Sequence, residues 1–202
     1  MLPATYLEPG VVQAWAAPIP GVIDVGRYPC GNDARGDAIV NELGLAGFAS
    51  EARTDIMRWK RGKLLSNLAN GAEALAGPET RRSPIMTLAR REALACFAAA
   101  DLTVTSDDEN ATRGTGMQSH PIAGATRSGG SAWQSLARGA RTLETDYLNG
   151  EIVLLGQLHG VPTPVNRLLQ QLAADAARAG IAPGSIPLAT LVAQVERAAA
   201  LV

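Results

Sequence analysis

From Thr54 onward the chain is punctuated by helix start and stop signals, at spacings that leave little room for anything except helices. Thr54 can cap a helix running from Asp55 to about Ala76 and stopped by Gly77-Pro78, with Asp55 placed to meet the positive end of its dipole. Ser83-Pro84 repeats the start signal for a helix to roughly Ala100, since proline suits the first helical position. Further helices are predicted over Ser131 to about Arg141, Glu144 to Leu158, Pro164 to Ala179 and Pro187 to Leu201. Thr163-Pro164 opens one of these and Gly180 closes it. Aromatic residues make up only 4% of the chain while alanine is abundant, which favours helices packed closely through small side chains.

The first fifty residues read differently. Val11 to Ala16 and Val22 to Gly26 flank the breaker cluster Pro18-Ile19-Pro20-Gly21, which predicts a hairpin. Asn32-Asp33 then caps a helix over Ala34 to Leu45, ending near Gly47. The expected organisation is a segment 1–50 of hairpin plus helix, followed by a helical domain over 51–202. Asp107 to Gly130, rich in Asp, Gly, Ser, Thr and Asn and without periodicity, is expected to be a long loop.

Charge excludes one class of partner. With 18 Lys+Arg against 19 Asp+Glu, and no basic run, there is nothing to hold a nucleic-acid backbone. The longest apolar runs, such as Ile152 to Leu155, fall far short of the roughly 20 residues that span a bilayer, so no membrane is expected. Cys30 and Cys96 lie far apart without Cys-x-x-Cys spacing, and Met1 to Thr5 has no secretory character, so a reduced, cytoplasmic setting is expected. Neither His120 nor His159 has neighbours at metal-ligand spacing, so no metal is expected.

The residues that could carry chemistry lie in the helical part. At ~100° per residue, an unbroken Asp55–Ala76 helix gathers Lys63, Asn67 and Asn70 on one narrow arc and Met57, Leu64, Leu68, Ala72 and Leu75 on another. Taken alone, such a polar stripe is what any solvated helix face carries. Glu144 stands where one helix gives way to the next and suits an ordinary first turn, Ser131 suits an N-cap after Gly129-Gly130, and His159 suits a helix end.

Together the segments are more specific. Trp59-Lys60-Arg61-Gly62-Lys63-Leu64-Leu65-Ser66-Asn67 resembles the lysine-bearing helix of the ketopantoate reductase family's C-terminal domain. Ser131-Ala132-Trp133-Gln134-Ser135 is similar to that family's Ser-x-x-Gln segment, and Glu144-Thr145-Asp146-Tyr147-Leu148-Asn149-Gly150 to its Thr-Glu-Ile-Asp-x-x-Asn-Gly hallmark. His159-Gly160 with Thr163-Pro164-Val165-Asn166 completes the series in order. Tyr6-Leu7-Glu8-Pro9-Gly10 and Gly26-Arg27-Tyr28-Pro29 resemble the last strands of the family's nucleotide-binding domain.

The resemblance implies a mainly α fold: a helical C-terminal domain of the 6-phosphogluconate-dehydrogenase-like type, preceded by a short β-hairpin remnant of a Rossmann domain. It implies NADPH-dependent reduction of a small 2-keto acid, in pantothenate synthesis for the founding members. Lys63 would be the general acid, Glu144 would bind a substrate hydroxyl, Ser131 the carboxylate, and Asn67 and Asn70 the substrate. The Gly-x-Gly-x-x-Gly turn that presents amides to a dinucleotide pyrophosphate is absent, so the cofactor-binding residues stay unassigned and a truncated enzyme is expected. The alternative is a non-catalytic helical domain that pairs with a second copy into a homodimer.

Overall fold

The computed structural model describes residues 1–127 and 129–200. It falls into two compact units, Met1–Lys63 with Val104–Arg127, and Leu64–Thr103 with Ser128–Val202.

In the first unit the strands are very short. β1 (Ala4–Thr5) pairs antiparallel with β2 (Gln13–Ala14), and β3 (Ala16–Pro18) pairs antiparallel with β4 (Met117–Ser119). A hairpin is therefore present, but it closes across Tyr6–Val12 instead of joining Val11–Ala16 to Val22–Gly26. The reason is that both expected strands find other partners. The Trp15 indole donates to Thr5 Oγ1 (2.8 Å), drawing that segment back on β1. Ile23 and Val25 donate their amides to Ala49 and Glu51 carbonyls instead, in parallel bridges Val22–Ala49 and Val25–Ala52. Between these bridged segments runs α1 (Ala34–Leu45), capped by the Asp33 carboxylate on the amides of Arg35 and Gly36, as the Asn32-Asp33 signal predicts.

The expected loop after Asp107 holds two elements, α5 (Asp107–Arg113) and β4. Its helix starts with a reciprocal capping box: the Ser106 hydroxyl accepts the Glu109 amide and the Glu109 carboxylate accepts the Ser106 amide.

The expected Asp55–Ala76 helix is two helices, α2 (Ile56–Asn67) and α3 (Asn70–Ala76), with Leu68 and Ala69 as the turn between them. α2 counts with the first unit up to Lys63 and with the second from Leu64. Beyond α3 follow a 3-10 turn (Pro78–Arg82) and then, in order, α4 (Pro84–Ala99), α6 (Ser131–Ala137), a second 3-10 turn (Glu144–Tyr147), α7 (Asn149–His159), α8 (Pro164–Ala179) and α9 (Leu188–Ala199). Residue Leu201, at the expected end of the last helix, lies outside the described residues.

α8 lies among α3, α4, α7 and α9. Leu68, Leu75, Ile85, Phe97, Ile152, Val165, Leu169, Leu191 and Val195 are all sealed from solvent around it. Small residues let these helices approach: a Cβ at Gly71 would sit 2.9 Å from Ala173 Cβ.

A buried polar chain runs through this core. Glu92, in mid-α4 and 7% exposed, accepts the amides of Val165 (2.8 Å) and Asn166 (2.9 Å), and so caps α8 from another helix. The hydroxyl of Thr163, at the N-cap position, makes no capping bond. Asn166 Nδ2 donates to Glu92 Oε2 (2.7 Å) and the Ala89 carbonyl (3.0 Å), while its Oδ1 accepts from Asn149 Nδ2 (3.0 Å). Asn149 Nδ2 also donates to the Leu68 carbonyl (3.0 Å), one of the groups that the α2–α3 break leaves without a helical partner.

Replacing Glu92 by alanine orphans three buried donors at once. Glu92→Ala is expected to lower the unfolding free energy by about 3–5 kcal/mol in urea titration, and Glu92→Gln, which keeps an acceptor, by much less. A loss under about 1 kcal/mol for Glu92→Ala would mean that the carboxylate is not what satisfies those amides.

Candidate functional site

Lys63 is exposed, one turn before Asn67 at the end of α2, and its charge is felt within the first unit. Burial first, and then the Lys63 ammonium, hold the Met1 amino group below its ordinary value. Asn67 is half-buried. Asn70 does not continue that stripe, because the chain turns at Leu68-Ala69 and Asn70 becomes the first residue of α3, only 5% exposed.

Around Asn70 the second unit builds a compact ionic knot. Glu73, one turn along α3, has a side chain 6% exposed and receives the Arg81 Nε in an ion pair. Its other oxygen accepts the Gly130 amide (2.8 Å), the residue immediately before α6. Arg81, from the 3-10 turn, donates through Nη1 to the Ser66 carbonyl (3.0 Å) and through Nη2 to Asn70 Oδ1 (2.6 Å). A Cβ at position 130 would stand in ordinary van der Waals contact with the pair, 3.4 Å from Glu73 Oε1 and 3.6 Å from Arg81 Nη2. One guanidinium thus ties together the end of α2, the start of α3 and, through Glu73, the entry to α6.

Ser131 is the exposed first residue of α6. The cap position belongs to Gly130, so the Ser131 hydroxyl does not cap. Glu144 is also exposed, as the first residue of the second 3-10 turn, while its neighbour Thr145 is buried and Leu143 packs on the core formed by Ala74, Leu75 and Leu136. His159 closes α7 at an exposed end and is followed by Gly160 in the left-handed conformation. The structure therefore joins Asn70 and the residue preceding Ser131 through one hydrogen-bonded network. It records no bond from Glu144 to that network.

Sequence reasoning passed over Arg81, Glu73 and Glu92. Glu73 and Glu92 were visible as lone acids set in runs of alanine and leucine, on helix faces that otherwise read as core.

The first unit holds a separate cleft of about 660 Å³, lined in part by Arg53, Trp59, Glu109 and Arg113. Its charges are matched. Arg113 forks onto Asp24 (2.5 and 3.0 Å), Arg53 reaches Asp24 (3.4 Å) and Glu51 (2.6 Å), and the Arg53 guanidinium lies 4.0 Å over the Trp59 ring. Arg58 holds Glu109 with two bonds (2.8 and 2.6 Å) and, helped by the Ser106 amide, pulls its carboxyl down to about 2. A second cleft of about 670 Å³ lies in the second unit between the start of α4 and the end of α9. Neither is lined by Lys63, Asn67, Asn70, Ser131 or Glu144.

Among the described residues no group of His, Cys, Asp and Glu side chains is placed to hold a metal ion, and no helix is long and apolar enough to cross a membrane. The glycines Gly114 and Gly116 follow α5 instead of linking a strand to a helix start, and a Cβ at Gly116 would strike Ile19 at 2.4 Å. They form no cradle for a pyrophosphate.

Residues 55–177 match the family described as ketopantoate reductase PanE/ApbA C terminal. No curated protein matches the chain. Among solved structures, the fold is similar to a PanE/ApbA family ketopantoate reductase from Ralstonia eutropha JMP134, with a TM-score of 0.62 and 24% identity over 89% of this chain and 58% of that one. It is also similar to 2-dehydropantoate 2-reductase from Methylococcus capsulatus, with a TM-score of 0.69 and 18% identity over 90% of this chain and 62% of that one. A third likeness is to D-mandelate dehydrogenase in a ternary structure with NADH and anilino(oxo)acetate, at TM-score 0.60 and 17% identity over 79% of this chain and 67% of that one. The chain thus spans about three fifths of the length of the two reductases.

The depressed Glu109 carboxyl sets a pH dependence. Because its folded value, about 2, lies below the ordinary 4.5, the Arg58–Glu109 pair stabilises above about pH 4.5 and loses that contribution as pH falls towards 2. Glu109→Gln is expected to flatten the acid limb of a stability-against-pH curve in this window. An unchanged slope between pH 4.5 and 2 would mean that the pair does not form in solution.

Proposed function

We propose a function from the chain's place in the ketopantoate reductase family, to which it belongs through that family's C-terminal domain: it is the substrate-binding and catalytic helical part of an NADPH-dependent 2-keto acid reductase. The observation that carries this reading is the family match over residues 55–177, a stretch containing Lys63, Asn67, Asn70, Ser131 and Glu144. The helical domain we assign to 51–202, and 1–50 to the end of the nucleotide-binding domain.

In this reading the Lys63 ammonium gives its proton to the carbonyl oxygen as the keto carbon is reduced, stabilising the charge that develops there. Asn67 and Asn70 hold the substrate by hydrogen bonds, Ser131 takes its carboxylate and Glu144 a hydroxyl. A pyridine nucleotide supplies the reducing equivalent when bound. The sequence carries no Gly-x-Gly-x-x-Gly turn, and in this reading other polypeptide supplies it. A cytoplasmic setting goes with that chemistry.

One observation favours a second reading, a helical domain that pairs with a second copy without catalysis. Tyr147, Leu154 and Leu158 stand 83%, 49% and 69% exposed in and just before α7, spaced so that the two leucines share a face.

The two readings separate experimentally. Fusing the nucleotide-binding domain of a family member ahead of Met1 is expected to yield keto-acid-dependent NADPH oxidation, and Lys63→Ala to reduce it by about 10²–10⁴-fold. Full turnover in the Lys63→Ala fusion would remove the assigned proton donor. For the pairing surface, Leu154→Glu with Leu158→Glu is expected to halve the mass seen by light scattering; an unchanged mass places any interface elsewhere.

A further inference from the structure

We infer that Arg81 is a positioning residue that turns Asn70 into a hydrogen-bond donor, so that the ligand group Asn70 meets is an acceptor such as a carboxylate or keto oxygen. The inference rests on the reading of Asn70 as substrate-binding, and it adds what orients that residue and which end of its amide is presented.

A guanidinium has only N–H donors. The atom of Asn70 that faces Arg81 Nη2 at 2.6 Å must therefore be the carbonyl Oδ1, which settles which way the side-chain amide points. Once Oδ1 is engaged, the NH₂ end is left over: it makes no hydrogen bond to any described residue and is not among the side-chain atoms sealed from solvent without a partner, so the small exposed part of Asn70 includes it. The other buried asparagines near the core are different. Asn149 and Asn166 both use their NH₂ groups fully within the chain, Asn149 on the Leu68 carbonyl and Asn166 Oδ1, Asn166 on the Ala89 carbonyl and the Glu92 carboxylate. Asn70 alone of these three keeps its donors unused, and a donor that the chain leaves open at the surface is where a ligand's acceptor is accommodated at no loss of internal bonding.

Arg81 can hold this orientation because it is itself anchored on two further sides. Its Nε is paired with the buried Glu73 carboxylate and its Nη1 with the Ser66 carbonyl. Glu73 in turn receives the Gly130 amide, so that the segment leading into Ser131 is referred to the same point. Lysine offers a single ammonium in place of this planar fork and cannot face Glu73, Ser66 and Asn70 together.

The test uses the full chain, labelled with ¹⁵N, and two variants that separate orientation from fold. In Arg81→Gln the Asn70 side-chain amide is expected to lose order in ¹⁵N relaxation while the backbone spectrum of α3 persists. Asn70→Asp keeps the acceptor for Arg81 and removes the donors. Titration with 2-oxobutanoate is expected to shift the Asn70 side-chain signals of the wild type, with binding weakened at least tenfold in Arg81→Gln and in Asn70→Asp, and with the urea midpoint of Asn70→Asp undiminished. An Asn70 amide as ordered in Arg81→Gln as in the wild type overturns the inference, and so does unchanged 2-oxobutanoate affinity in Asn70→Asp. If the wild type binds no 2-oxobutanoate, the substrate assignment of the proposed function falls, and the orienting role of Arg81 is decided by the relaxation result.

Discussion

The carboxylate of Glu92 is taken out of water in the middle of α4 and repaid with three hydrogen bonds from the start of α8. Burying a charge in this way is tolerable only when its lone pairs are met, and here the donors are two backbone amides that a helix start always leaves open. The arrangement locks α4 to α8 and, through Asn166 and Asn149, reaches the carbonyl of Leu68. It therefore explains why α2 and α3 can part company at Leu68-Ala69 inside an apolar core: a carbonyl freed by the break is answered by a side chain 81 positions away. That break in turn is what sets Asn70 at a helix start, beside Arg81 and Glu73.

Two of the segments that resemble the ketopantoate reductase family thus have a structural explanation independent of any reaction. Asn149, in the hallmark after Glu144, and Asn166, in the Thr-Pro-Val-Asn segment, belong to the buried chain and are both 1% exposed or less. Polar residues of a family signature need not touch a substrate; here two of them tie α7 and α8 to α4 and to the turn that precedes Asn70.

Much of the helical architecture could be read from local chemistry. Asp33, Ser83 and Gly180 mark helix ends where the structure has them, and α8 runs over Pro164–Ala179 as its flanking residues indicate. What could not be read is nonlocal. The apolar sequence Leu64, Leu68, Ala72, Leu75 keeps helical period straight through the α2–α3 break, because the core wants those residues on both sides of it. The strands of the first unit are two or three residues long, too short for alternation to show, and β3 finds its partner a hundred residues later in β4. The start of α5 is legible in the capping-box spacing of Ser106 and Glu109, masked by the polar composition around them. Of the candidate site, the residue types were visible, but the roles of Arg81 and Glu73 depend on a fold that brings three turns of chain to one guanidinium.

The contact between Gly71 and Ala173 has an evolutionary corollary. The two backbones approach until there is space for one methyl group between them, and at present α8 owns it. Sequence drift at either position is then not independent. A lineage that gains a side chain on α3 at position 71 has to surrender one on α8 at position 173, accepting about 1 kcal/mol of helix propensity when glycine enters the longer helix. Across relatives, the pair would read as a trade in volume, with the sum conserved and the owner exchanged.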